Sequence, residues 1–380
     1  MSTQSNRLVG RRSFMALALA STIGLAACGS STKTAATTVA PAAGATTAAP
    51  AAAGKKIAVT LITKDSTNAF FVAMQKGAKE AGTKYGVDIT IASGKAEGDD
   101  AGQIKAIENA VATKQAGILI TPMSTGVNDA ITSARKAGLF VIALDTPTDP
   151  ASIVDITFAT DNFNAGVLIG KYAAAKLDGK KAVIGLLDIF NDKVVSVDYN
   201  RDNGFLKGMG IDIADPKKMG DEAKTGKYTG GKGGDYEIVG NEASGANPAG
   251  GQKSMENLLA KNKDINVIYT INEPAAAGAF IALTAAGKKP ADFILVSVDG
   301  GRGGVEDVKK GNITATSQQY PLRMADLGVK AISEIAKGGA KPAVSPGLDF
   351  YDTGVTLIAN NPVAGIDSKD AQYGLDNAWG

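Results

Sequence analysis

The sequence predicts an α/β protein built from two doubly wound parallel sheets. Three observations lead to this fold class. Short apolar runs of four to six residues alternate with segments whose apolar residues recur every three or four positions. The short runs are apolar on both faces, as parallel strands covered by helices are. The rhythm then restarts near Val183, so the chain contains two such units of similar size.

The first unit contains five predicted strands with helices between them. The strands are Ile57–Ile62, Val87–Ile91, Gly117–Ile120, Phe140–Leu144 and Ile156–Ala159. Two of the helices show apolar stripes, one at Ile104, Ile107 and Val111 and the other at Val127, Ile131 and Ala134. Stripes at this spacing cover one face of a helix, which packs on the sheet.

The second unit repeats the pattern. Its predicted strands are Val183–Leu187, Tyr236–Val239, Val267–Ile271, Phe293–Val298 and Ile313–Ser317. Helices are predicted around residues 194–209, 251–260 and 275–286. The segment Asp212–Asp235 is rich in Gly, Lys and Asp and has no apolar period, which favours a surface loop.

The first 54 residues have the composition of a leader and a tether. Basic residues precede an apolar run, Phe14–Ala27, that is too short for a permanent membrane span and ends at Cys28, the only cysteine of the chain. This pattern resembles a lipobox, so we expect residues 1–28 to be a lipoprotein signal peptide with a lipidated Cys28. Residues 29–54 are mostly Ala and Thr and predict a flexible tether. The protein would then be exported and held at the outer face of the cytoplasmic membrane or in the periplasm.

Composition excludes several classes of function. The chain carries a net charge of +2, and its first 54 residues hold four basic and no acidic residues, so the remainder has a net charge of −2. Nothing in that balance indicates a nucleic-acid partner. With no histidine and no cysteine beyond Cys28, triad chemistry and ordinary zinc sites are excluded. No calcium-loop or phosphate-loop spacing occurs, and Gly300–Gly304 lacks the dinucleotide spacing, so we expect no metal, no cofactor and no enzymatic activity.

Polar side chains repeatedly follow the predicted strands at their carboxyl ends, where open α/β sheets bind ligands. They are Asn68, Asp145 and Asp161 in the first unit, with Phe70 and Phe71 beside the first, and Asn272, Asp299 and Gln319 in the second. Amides and carboxylates bridge neighbouring sugar hydroxyls, and aromatic rings pack on sugar C–H faces. Each residue alone could instead cap a helix or fill the core. As a set, they favour a sugar-binding site.

These residues carry a resemblance to periplasmic sugar-binding proteins of the ribose-binding type, and it extends from Lys56 to about Ala359. Three longer segments resemble the fructose-binding proteins of ABC importers: Val197–Phe205, Tyr269–Gly278 and Gly347–Val355. The resemblance implies a solute-binding lipoprotein, expected to be a monomer, that captures a monosaccharide, with fructose as the first candidate. It also implies that the protein delivers the sugar to ABC transporter permease subunits. A receptor that reports sugar state to a signalling partner is the alternative.

The resemblance also implies the type I periplasmic binding protein fold, a clamshell whose two lobes are joined by a hinge of three crossings. We place the crossings near Thr160/Asp161, Gln319/Tyr320 and Phe350/Tyr351. The N-terminal lobe would comprise residues 55–160 and 320–350, and the C-terminal lobe residues 161–319 and 351–380.

Carried over by position, the resemblance assigns ligand-binding roles in each lobe. Asn68, Phe70, Phe71 and Asp145 would line the first lobe, Asp161, Arg201, Asn272 and Asp299 the second, and Gln319 the hinge. Tyr199 competes with Arg201 for the equivalent position. Two departures argue against ribose: Thr146 stands where ribose binders have an arginine, and Ser244–Asn247 stands where they offer an aromatic residue.

Overall fold

The computed structural model describes residues 57–380. The predicted signal peptide, Cys28 and the tether therefore lie outside the described residues. Residues 57–380 contain two parallel-dominated sheets with helices on both faces, which confirms the predicted fold class. We call each sheet with its helices a lobe, the first and the second in chain order.

The first lobe is built on a six-stranded sheet whose strands all pair in parallel. Its strands are β1 (Ile57–Thr63), β2 (Val87–Ser93), β3 (Gly117–Ile120), β4 (Phe140–Leu144), β5 (Ile156–Ala159) and β12 (Tyr351–Asp352). Their order across the sheet is β12-β5-β4-β3-β1-β2. The chain order reverses beside β1, and such switch points are where ligands bind in open parallel sheets.

The second lobe repeats this order in a seven-stranded sheet. Its strands are β6 (Ala182–Asp188), β7 (Thr225–Tyr228), β8 (Gly234–Ala243), β9 (Val267–Thr270), β10 (Ile294–Asp299), β11 (Ala315–Gln318) and β13 (Thr356–Ile358). The order across the sheet is β13-β11-β10-β9-β6-β8-β7, and only its two edge strands run antiparallel to their neighbours. β7 pairs with β8 as a hairpin, so the prediction of a loop throughout Asp212–Asp235 was wrong. β7 is mostly exposed, which explains why it lacks an apolar period.

Ten helices cover the two sheets within residues 57–380. They are α1 (Ala69–Tyr85), α2 (Asp100–Ala112), α3 (Asn128–Lys136), α4 (Asn162–Leu177), α5 (Ser196–Met209), α6 (Pro248–Lys261), α7 (Glu273–Ala285), α8 (Arg302–Lys310), α9 (Pro321–Ala336) and α10 (Ala371–Asp376). In this part of the chain no helix is both long enough and apolar enough to cross a bilayer.

Helices pack on both faces of each sheet. On β1, the adjacent residues Leu61 and Ile62 are both fully buried, yet they belong to different apolar clusters, one on each face. Leu186 and Leu187 on β6 show the same division in the second lobe. Because successive side chains of a strand point to opposite faces, the continuous apolar runs of the sequence are explained by burial on both sides.

The chain passes between the two sheets three times. It leaves the first sheet after β5, returns to the first lobe between β11 and α9, and leaves again after β12. We predicted the third crossing at Phe350/Tyr351, but Tyr351 and Asp352 still pair with β5. The structure therefore moves this crossing to residues 353–355, immediately before β13.

Glycines allow α4 and α5 to pack with their backbones in contact. A Cβ atom on Gly166 would lie 2.2 Å from the backbone oxygen of Arg201, and one on Gly208 would lie 2.3 Å from that of Val167. Both distances are too short for carbon and oxygen, so these positions require glycine. The close approach fixes how near α5, the helix that carries Arg201, lies to α4.

Candidate ligand-binding site

A narrow cavity of about 40 Å³ lies between the carboxyl ends of the two sheets. Eight of the nine predicted site residues line it: Asn68, Phe70, Phe71, Asp145, Arg201, Asn272, Asp299 and Gln319. They come from both lobes and from the hinge. All of them except Arg201 were expected from the ends of the predicted strands, whereas Arg201 was assigned by the resemblance alone. They meet in space although they are up to about 250 positions apart in the sequence.

The start of α1 supplies one wall of the cavity. Asn68 caps the helix, and its Oδ1 accepts a hydrogen bond from the Phe70 amide at 3.0 Å. This cap directs Phe70 and Phe71, both buried, toward the cavity. Their rings meet edge to face, with centroids 5.4 Å apart and planes at 84°. Asn68 is therefore both a helix cap and a cavity residue, and the two aromatic rings that follow it form one side of the cavity.

Asp145 follows β4 with a positive φ of 65°, an unusual conformation for a residue other than glycine. Its Oδ2 accepts a hydrogen bond from the Thr146 hydroxyl at 2.8 Å. Its Oδ1 is buried and has no hydrogen-bond partner among residues 57–380. The carboxylate thus presents one unused acceptor at the cavity wall.

The second lobe places Arg201 at the cavity, from α5. Its Nε donates to Asn162 Oδ1 at 2.8 Å and its Nη1 to the Ile271 carbonyl at 2.9 Å. Nη2 makes no hydrogen bond to the described residues. Asn272 lies beside it and caps α7 through the Ala275 amide at 3.1 Å.

Asp299 and Gln319 meet where the hinge joins the second lobe. Gln319 Nε2 donates to Asp299 Oδ1 at 2.9 Å, and Gln319 Oε1 is buried without a partner among the described residues. Burial raises the pKa of Asp299 to about 7, while the Arg201 charge and the Gln319 hydrogen bond act in the opposite direction. A carboxyl group with this pKa changes its charge near neutral pH.

Asp161 is the one predicted site residue that the structure places outside the cavity. Its Oδ1 accepts from the Asn164 amide at 2.9 Å, which caps α4, and the side chain faces a separate hollow on the surface. The prediction that Asp161 lines the site is corrected, because capping takes its side chain away from it. Tyr199 lines the same outer hollow, so the geometry favours Arg201 over Tyr199.

Two charged residues that line the cavity were missed in the sequence. Lys64, directly after β1, and Glu97, after β2, form an ion pair of 2.9 Å with side chains only 3% and 11% exposed. Burial raises the pKa of Glu97, and the Lys64 charge opposes this effect. Lys64 follows a strand end and could have been found by the same rule as Asn68. Glu97, 33 positions away, has no comparable signal.

Trp379 links the hinge to both lobes. Its indole Nε1 donates to the Gln319 carbonyl at 2.9 Å, and its ring meets Phe70 edge to face with centroids 5.2 Å apart. In addition, the Arg302 amide donates to the Trp379 carbonyl at 3.0 Å. The indole is 5% exposed and supports the wall formed by Phe70.

The backbone amides of the glycine-rich segment after β10 bind a side chain of the protein itself. The amides of Gly300 and Gly301 donate to Glu273 Oε1 and Oε2 at 2.8 and 3.0 Å. A nucleotide phosphate would need these same N–H groups. In this structure both N–H groups are already paired with the Glu273 carboxylate.

The lobes also touch at the edge of the cleft. Lys193, in the loop between β6 and α5, donates to the Gly98 carbonyl at 2.7 Å and pairs with Asp100 of the first lobe. Ser196 donates to the Pro147 carbonyl across the same edge. These contacts require the closed arrangement of the two lobes.

A cluster of acidic side chains is buried in the second lobe without lining the cavity, although Asp188 precedes Ile189 and Asp202 follows Arg201, which do line it. Asn241 Nδ2 donates to both Asp188 and Asp202, at 3.0 and 3.2 Å. Burial, together with the charges of neighbouring carboxylates, raises the pKa of both aspartates well above the usual value. Within residues 57–380, no group of three or more acidic, cysteine or histidine side chains has the geometry of a metal site.

Comparison with known proteins agrees with this architecture. A family model described as a periplasmic binding protein domain matches residues 57–340. The chain belongs to this family. Among curated relatives of this periplasmic binding protein, the Ribose import binding protein RbsB of Haemophilus influenzae is 29% identical over 76% of the chain and 88% of its own length. That of Bacillus subtilis is 26% identical over 75% of the chain and 83% of its own length.

Solved structures show the same fold. An ABC transporter solute binding protein from Agrobacterium vitis with bound D-fucose superposes with a TM-score of 0.69 at 25% identity, covering 85% of this chain and all of that one. A second protein from that organism, bound with α-D-tagatopyranose, has a TM-score of 0.69 at 20% identity and covers 86% of this chain and all of its own. Both likenesses support the type I clamshell for this periplasmic binding protein.

Proposed function

We propose that this protein captures one monosaccharide between its lobes and delivers it to the permease of an ABC importer. One observation carries the proposal. Asp145 Oδ1 and Gln319 Oε1 line one cavity, both are buried, and neither has a hydrogen-bond partner in the described chain. A buried acceptor left unpaired costs about 1–3 kcal/mol. Sugar hydroxyls are donors that would remove this cost, and Phe70 and Phe71 offer the apolar surface for sugar C–H groups.

The charges around the cavity suit a neutral ligand. Lys64 and Arg201 face three carboxyl groups, those of Glu97, Asp145 and Asp299. Opposite charges nearly balance, and the free N–H donors of Arg201 complement the free acceptors. Such a mixed set recognises hydroxyl groups, which both donate and accept, better than it recognises a carboxylate or an ammonium group.

Closure of the lobes would provide the capture step. The cavity of about 40 Å³ is smaller than the pockets of roughly 300 Å³ or more that enclose small molecules. A sugar therefore enters only when the lobes are further apart than they are here. The hinge at Gln319 permits this motion, and the contacts of Lys193 re-form when the lobes close.

The choice of sugar follows from the relatives and from the departures in this sequence. Relatives are named for the import of ribose and the binding of D-allose, and a similar structure holds D-fucose. Thr146 stands where ribose binders have an arginine. Ser244–Asn247 stands where they offer an aromatic residue, and Ala246 of this segment lines the cavity. D-Fructose is our first candidate, on the resemblance of three sequence segments to fructose-binding proteins.

We infer export through the leader and a lipid anchor at Cys28, which places the protein in the periplasm or on the outer face of the cytoplasmic membrane. It would act as a monomeric binding protein without a cofactor, and not as an enzyme.

Thermal melting against sugars tests the proposal. The purified protein is melted with D-fructose, D-ribose, D-allose, D-fucose, D-tagatose and a polyol such as D-mannitol. A ligand at about a thousand times its dissociation constant stabilises by about 4 kcal/mol, which raises the melting temperature by several degrees. A shift with one sugar supports the function and names the ligand. A folded protein freed of ligand that shows no shift with any of them would overturn it.

A further inference from the structure

Glu273 lies next to the proposed sugar site without lining its cavity. It follows the site residue Asn272 and begins α7. Its carboxylate accepts three hydrogen bonds, from the Gly300 amide at 2.8 Å, the Gly301 amide at 3.0 Å and the Thr316 hydroxyl at 2.8 Å. The side chain is buried, so all three bonds are shielded from water.

The two amides belong to the turn that presents Asp299. Asp299 has a φ of 150° and Gly300 a φ of 73°. A residue with a side chain adopts such a φ only when its surroundings impose it. The carbonyl groups of this turn are held by the last residue of β11 and the residue after it. Gln319 N donates to the Asp299 carbonyl at 2.9 Å, and Gln318 Nε2 donates to the Gly300 carbonyl at 2.8 Å. Glu273 binds the amide groups of the same turn.

A glycine on α8 leaves room for this carboxylate. A Cβ atom at Gly304 would lie 1.9 Å from the Glu273 Cδ, which is far below any allowed contact. A Cβ atom at the neighbouring Gly303 would meet nothing within 4 Å. The chain therefore offers two adjacent glycines, of which only one is required by Glu273.

We propose that Glu273 is a positioning residue for sugar binding: its carboxylate fixes the Gly300–Gly301 amides and thereby holds Asp299 in the orientation that meets the sugar. The inference rests on the proposed function. It assigns the glycine run after β10 to the shaping of the ligand site. Gly304 provides the space in which the Glu273 carboxylate can reach both amides.

Calorimetry with the sugar that gives the largest melting shift tests this role. Glu273→Gln keeps the size of the side chain but places an NH₂ group against one of the two amides. Gly304→Ala forces the same carboxylate away while leaving Glu273 in the chain. We expect each variant to bind the sugar at least tenfold more weakly. Gly303→Ala is the matched control and should bind as the unmodified protein does.

A double variant separates positioning from a general structural effect. Because Glu273 acts through Asp299, Glu273→Gln should cause no further loss of affinity in a chain that already carries Asp299→Asn, measured at sugar concentrations high enough for weak binding. If the two substitutions instead reduced sugar affinity by factors that multiply in the double variant, the inference would be overturned, since Glu273 would then act by another route. The inference would also be overturned if Glu273→Gln and Gly304→Ala both bound the sugar with wild-type affinity. If the unmodified protein bound none of the sugars, the proposed function would fall first, and this inference with it.

Discussion

Lys193 in the second lobe pairs with Asp100 in the first, with 3.0 Å between Nζ and Oδ2. The pair is 30% and 25% exposed, so solvent screens it in part. It exists only when the lobes are closed. Lys193 also donates to the Gly98 carbonyl, which adds a charged hydrogen bond across the cleft.

We therefore predict that Lys193→Met weakens sugar binding about two- to fivefold, the equivalent of roughly 0.5–1 kcal/mol for a partly exposed pair. Calorimetry measures the affinity, and the melting temperature without sugar should change little. Lys232→Met is the control, because Lys232 pairs with Asp178 within the second lobe. Equal affinity of Lys193→Met and the control would contradict the role of this contact in closure.

The buried Lys64–Glu97 pair should contribute more to sugar affinity than to stability. Replacing both members of a buried ion pair by neutral residues of similar size is often neutral or stabilising. We expect Lys64→Met with Glu97→Gln to melt no lower than wild type but to bind the sugar at least tenfold more weakly. The pair Lys224→Met with Glu222→Gln, away from the cavity, should leave affinity unchanged. Melting and calorimetry on both double variants decide between the two outcomes.

Sugar affinity should depend on pH through Asp299. Its pKa is raised to about 7, chiefly by burial, and the sugar needs the ionised form as an acceptor. Protonation below neutral pH therefore competes with binding. For one group with this pKa the ionised fraction changes about tenfold between pH 6 and pH 8, so affinity should rise by up to that factor. Asp299→Asn should bind weakly at every pH and lose this dependence. A steep pH profile that survives in Asp299→Asn would assign the titration to another group, of which Glu273 is the nearest, since burial and the Asp299 charge raise its pKa to about 8.

The buried pair of Asp188 and Asp202 should make the protein less stable as pH rises. In the unfolded chain both carboxyl groups lose their protons near pH 4. In the native state burial raises both pKa values, and neighbouring carboxylates add to it: Asp202 and Asp198 for Asp188, and Glu222 and Asp198 for Asp202. Between pH 4 and the raised values the native state holds more protons, so the free energy of unfolding falls as pH increases.

Asp202→Asn should remove part of that loss. We expect a gain of about 1 kcal/mol or more at pH 8 and a smaller gain at pH 5, since one pKa unit corresponds to about 1.4 kcal/mol. Urea unfolding across this range measures it. Asp235→Asn is the control, because Asp235 is exposed and Lys227 lowers its pKa. Parallel curves for wild type and Asp202→Asn would show that Asp202 does not titrate in this range.

Much of the cavity could be predicted because strand ends converge by geometry. Asn68, Asp145 and Asp299 each follow an apolar run that is recognisable in the sequence, and parallel strands bring their carboxyl ends to one edge. The placement of these side chains in one cavity agrees with that rule, while their contacts with a sugar stay a prediction.

The remaining features depend on contacts between distant parts of the chain. Asp161 also follows a strand, but its side chain caps α4 and so does not reach the cavity. The next residue, Asn162, orients Arg201 by accepting a hydrogen bond from it. Glu97 gains its place only through Lys64. Trp379 lies about 300 positions from Phe70 in the sequence, and no periodicity links the two. The role of Glu273 likewise appears only when α7 and the turn after β10 are seen together.

Trp379 is the only tryptophan in the chain. Its indole touches Phe70 of the first lobe and donates to the hinge at Gln319, while its backbone is held by Arg302 of the second lobe. Separation of the lobes cannot leave all three contacts intact, so the polarity around this ring must change with each cycle. The chain thus contains its own optical reporter. The fluorescence of one native side chain would follow opening and closing in real time, without a dye or an added label.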